Sequence, residues 1–136
     1  MSKPDLQIEL SPGPWPGHDY AGCWPVGGRI AGTLRAQTFE PVKARGVRVE
    51  LGWHTEGRGD TDKKVVDTVT VQEGSLHGPQ AYQWTFELAV PSDGPISYHG
   101  HYINILWQVR AVVDMPWARD AKAEQPVQIL PDYAAD

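Results

Sequence analysis

The amino-acid sequence predicts an all-β protein built as a sandwich of two antiparallel sheets. Apolar residues alternate with polar ones over at least seven short stretches, the period of a strand with one face in a core. Gly (14) and Pro (12) interrupt every window long enough for a helix. Six Trp and five Tyr stand against two Phe and two Met, and the aromatic and β-branched residues suit a pleated, half-buried surface.

The elements follow in order. Leu6, Ile8 and Leu10 mark a first strand. Residues 11–28 then form an irregular excursion, with prolines at 12, 14, 16 and 25 that lack the spacing of a polyproline ligand. Ile30, Gly32, Leu34 and Ala36 make the second strand. Val47, Val49, Leu51 and Trp53 define the third, with Arg48, Glu50, Gly52 and His54 on the opposite face. Val65, Asp67, Val69 and Val71 share one parity in the fourth, and Tyr82, Trp84, Phe86 and Leu88 in the fifth. The longest row runs through Ile103, Ile105, Trp107, Val109, Ala111 and Val113. Asp120–Glu124 is expected to make one helical turn before a last strand at Val127 and Ile129. Seven strands separated by turn residues fit a sandwich, and 136 residues suffice for one domain, residues 1–136.

Charge narrows the partners. Twelve basic against seventeen acidic residues give a net charge of −5, and the basic ones are mostly scattered. A nucleic-acid groove or an anionic membrane needs a positive stripe, so neither partner is expected. No apolar run approaches the ~20 residues of a spanning helix, and no signal peptide is recognisable, so membrane insertion is not expected. The solitary Cys23 forms no intramolecular disulfide and fits a reducing, cytoplasmic compartment, where it reads as a small apolar filler beside Trp24.

Three segments resemble the arrestin-like superfamily, which includes arrestins, the retromer subunit Vps26 and bacterial sporulation-control proteins. The first holds the turn from Pro25 to Gly28 and Gly32 in the strand after it; the second is the strand Val47-Arg48-Val49-Glu50-Leu51. The third runs from Phe86, Leu88, Val90 and Pro91 through the corner of Pro95, Ser97, Tyr98 and Gly100 to the long strand ending at Val113. The resemblance covers about residues 5–130 and implies an immunoglobulin-like sandwich that serves as a non-catalytic protein-binding scaffold. Arrestins proper carry two such sandwiches and this chain has length for one, so phosphate sensing and receptor recognition are not carried over. A homodimer paired through edge strands would restore the two-sandwich arrangement by symmetry.

Trp15, Trp24 and Trp117 lie in Pro-containing loops, where an aromatic either anchors an interface or plugs an open end of the sandwich. Arg58 and Asp60 belong to a charged stretch, residues 53–64, which connects two strands as a solvated hairpin tip able to touch a partner. His99 and His101 are two residues apart, the spacing that puts two imidazoles on one strand face, and they carry the alternative reading of a metal-binding protein or metal-dependent hydrolase. Their parity is that of Ile103 and Ile105, so both rings are expected to lean toward the core. No Gly-x-Ser-x-Gly elbow exists, and Ser75, Ser92 and Ser97 adjoin turn residues, as backbone-capping hydroxyls do. No catalytic residue and no cofactor is therefore assigned.

Overall fold

A computed structural model describes residues 3–59 and 61–131. Nine strands and a 3-10 turn follow in chain order: β1 Asp5–Leu10, the turn His18–Tyr20, β2 Cys23–Pro25, β3 Arg29–Thr38, β4 Gly46–Gly57, β5 Lys63–Glu73, β6 Gln80–Ala89, β7 Tyr98–His99, β8 Ile103–Asp114 and β9 Ala121–Leu130. One sheet has the order β1-β3-β6. The other has the order β2-β9-β8-β4-β5, with β7 attached to β8. The sandwich predicted from alternation is the observed architecture.

The core lies between the sheets. Val47, Val49 and Leu51 of β4 stand beside Val113, Ala111 and Val109 of β8, all buried, while Ile30 and Leu34 of β3 face them with Phe86 and Leu88 of β6. These are the residues that alternation places inward. Burying each of the larger ones is worth roughly 1.5–3 kcal/mol.

Four expectations are corrected. The excursion over residues 11–28 contains β2, which pairs in parallel with β9 through Cys23–Gln128 and Pro25–Leu130, so the second sheet is not purely antiparallel. Ala121–Glu124 is strand, not helix: it pairs with Val113–Arg110, and Arg110 Nε donates to Glu124 Oε1 at 2.9 Å. Ladder bonds and this ion pair outweigh the local helix propensity of alternating Ala, Lys and Glu. Val65 is half exposed because the register slips between Leu51–Asp67 and Gly52–Val65. The extra residue, Val66, packs on the core instead, as a β-bulge reverses the face of what precedes it. Finally, β7 and β8 are two arms of a hairpin, closed by the Gly100 amide donating to the Ile103 carbonyl at 3.0 Å.

Candidate functional site

That hairpin decides the fate of the histidines. His99 lies on β7 and His101 in the turn, and both are exposed instead of leaning to the core. A single strand would have carried their parity into Ile105, but the chain reverses between them. Among the described residues no three His, Cys, Asp or Glu side chains converge where a metal ion would sit. His101 packs edge-on against Tyr102, with ring centroids 4.6 Å apart.

The same hairpin meets the β4–β5 tip. The Arg58 amide donates to the Tyr102 carbonyl at 3.1 Å, and the guanidinium lies 5.7 Å from the Tyr102 ring centroid, within cation–π range. The hairpin and the segment leading into it carry exposed Ile96, Tyr98 (51%), Tyr102 (63%) and Ile103. Four large exposed side chains of mainly apolar character thus fall within eight residues, and exposed apolar surface in such density is of the kind that marks contact sites. Sequence reasoning placed Ile103 in the core and passed over the others; the available signal was two tyrosines flanking Gly100 next to a strand entrance.

The remaining candidates separate cleanly. Trp24 is buried (2% exposed) as a residue of β2 opposite Ile129, so it belongs to the core and is withdrawn as an interface anchor. Trp117 is 81% exposed in the β8–β9 turn, at the end of the sandwich away from the β7–β8 hairpin. That turn is fixed by the Met115 amide donating to Asp120 Oδ1 at 2.9 Å, so Trp117 is presented on a set backbone. Trp15 is half-buried. Asp60 lies outside the described residues. Cys23 is buried, in keeping with a filler role.

A second feature, not foreseen from sequence, is a groove of about 670 Å³ on the outer face of the larger sheet. Gly52 leaves a gap in the row of outward side chains; Val65 and Gln108 flank it, Glu50 and Arg110 close one end, and His54 and Lys63 the other. His54 is fixed at both nitrogens, Nδ1 by Gln108 Oε1 at 3.0 Å and Nε2 by Glu56 Oε1 at 3.1 Å. Glu50 is nearly buried between Arg48, 3.4 Å away, and Arg110, 3.5 Å away. A nearly buried carboxylate between two guanidiniums is a structural ion cluster, and among the described residues no serine or cysteine lines this groove.

The two-sheet sandwich is the architecture of an arrestin-type domain. The chain belongs to the family of the arrestin (or S-antigen) N-terminal domain, whose model matches residues 55–135, more than half of its length. Its fold is similar to that of Spo0M, the sporulation control protein of Bacillus subtilis, with a TM-score of 0.70 at 13% sequence identity. The match covers 95% of this chain and 50% of the Spo0M chain, so this chain spans half the length of that protein. No curated protein matches the sequence. Among the described residues no helix is long and apolar enough to cross a membrane.

Proposed function

We propose that the protein is a non-catalytic protein-binding or scaffold module of the arrestin type, which holds its partner at the β7–β8 hairpin. The observation that carries this reading is the exposure of Ile96, Tyr98, Tyr102 and Ile103 along one hairpin, with Arg58 set against the Tyr102 ring. Tyr and Arg are the residue types that most often dominate binding energy, because each offers a large contact area with a polar end. Trp117, at the other end, is a second contact on the same ground. The lone thiol of Cys23 suits work in a reducing compartment such as the cytoplasm.

The test replaces Tyr98 with a photo-crosslinking residue in the native cell and identifies what is captured by mass spectrometry. A specific partner, whose capture is lost when Tyr102→Ser/Ile103→Ser is added to the crosslinking protein without unfolding it, is the expected result. A partner captured equally by that double variant from a crosslinker elsewhere on the surface overturns the assignment to the hairpin.

A further inference from the structure

Strand β5 is longer than its neighbour across the seam. Asp67 Oδ2 accepts from the Ala89 amide at 2.7 Å, and Trp84 Nε1 donates to Gln72 Oε1, so residues 67–72 run alongside 84–89. Strand β6 ends at Ala89; Val90 adds one more bond to its ladder with β3 by donating to the Gly28 carbonyl, and the chain then turns at Pro91–Gly94. Lys63–Val66 therefore lie beyond Asp67, the last β5 residue bonded to β6, and the bulge at Val66 adds twist there.

The backbone of this projecting piece is half unpaired. The Thr55 amide donates to the Asp62 carbonyl at 2.8 Å, and antiparallel alternation then makes Trp53–Lys64 the next bonded pair. The N–H and C=O groups of Lys63 and Val65 consequently face away from β4, where no described strand pairs with them. Their side chains lie on the groove face, Val65 half exposed. Neither Lys63 nor Lys64 makes an ion pair among the described residues, whereas nearby Glu56 is engaged by His54.

We propose that this edge accepts an extended, acidic segment of a partner protein as an added strand. The proposal rests on the reading of the chain as a protein-binding module. Main-chain bonds to Lys63 and Val65 supply the pairing, and side chains two residues apart on the incoming strand supply the choice. A carboxylate opposite Lys63 and an apolar residue opposite Val65 match the cross-strand preferences of a sheet. A second copy is the wrong occupant. In the antiparallel register centred on Lys63 two copies set one Lys63 directly opposite the other, and lysine is a common guard against self-pairing on an open edge. The nearby Asp62 carboxylate sets the limit on one side, so the acidic position of the partner belongs over Lys63.

The experiment titrates the full chain with three short capped peptides, alternating glutamate with valine, glutamine with valine and lysine with valine, and follows backbone amides by NMR and hydrogen exchange. The glutamate peptide is expected to bind best, to weaken as salt rises, and to protect the amides of Lys63 and Val65. A Lys63→Glu/Lys64→Glu variant should lose at least tenfold in affinity for it and favour the lysine peptide. Equal binding of all three peptides, protection at β1 or β6 instead, no saturable binding, or dimerisation through β5 overturns the proposal. Should the peptides fail while crosslinking from position 98 still captures a partner, the strand-addition site falls and the module reading stands; success here with failure there separates them the other way.

Discussion

The carboxylate of Asp67 on β5 accepts the backbone amide of Ala89 on β6 across the seam between the two sheets, at 2.7 Å. Its other oxygen accepts the Thr68 amide at 2.9 Å, so one side chain ties the open edge of β6 to the backbone of β5. A charge-assisted bond of this kind contributes more than a neutral one. Asp67→Ala should lower stability by about 1–2 kcal/mol in urea unfolding, Asp67→Asn by less, because the amide oxygen still accepts. No change in either variant would mean that the seam is held by apolar packing alone.

Trp24 and Trp117 make a controlled pair, the same residue in opposite surroundings. Trp24→Ala empties a buried position in β2 and should cost about 3–5 kcal/mol. Trp117→Ala removes a side chain that is mostly in solvent and should stay within about 0.5 kcal/mol of the parent. Thermal unfolding of both variants in one buffer checks the contrast; a large loss from Trp117→Ala would make it a packing residue and remove it from the contact surface.

His99 and His101 should bind no metal as a pair. The hairpin places one on a strand and the other in a turn, and zinc asks for at least three protein ligands at fixed geometry. Purified protein incubated with zinc and then desalted should carry far less than one equivalent by elemental analysis. A His99→Ala/His101→Ala variant should carry the same amount. Stoichiometric zinc that disappears in that variant would revive the metal reading.

The interior was readable because its signal is periodic and local. Val47, Val49 and Leu51, or Ile30 and Leu34, announce a buried face in consecutive turns of the pleat, and the sandwich follows from having seven such rows. What escaped depends on pairing between distant segments. Cys23–Pro25 is too short to alternate, and it becomes a strand through the far-off residues Gln128–Leu130. Ala121–Glu124 carries helix-forming residues, yet Arg110 and the β8 ladder hold it extended. The parity of Val65 was lost to one extra residue at Val66. The exposed hairpin was illegible for a related reason: Tyr98 and Tyr102 come onto one hairpin after the chain folds back at Gly100, and Tyr102 meets Arg58 because the β4–β5 tip reaches it.

Gly57 is where those two hairpins touch, and it supplies the last prediction. Its φ is +146°, outside the range that side-chain-bearing residues readily adopt. A Cβ there would lie against the Tyr102 carbonyl oxygen and within 2.9 Å of the Ile103 Cα, so relief has to come from backbone displacement. Gly57→Ala should therefore cost about 2–4 kcal/mol or, if the tip yields first, part the two hairpins at smaller cost. The two results are distinguishable: in the second, amide exchange at Arg58 quickens while the buried amides of β4 and β8 keep their protection. If the module reading is right, parting the hairpins also weakens capture through Tyr98, because Arg58 no longer backs Tyr102. A Gly57→Ala protein with parental stability and unchanged exchange at Arg58 would show that the tip and the β7–β8 hairpin move independently.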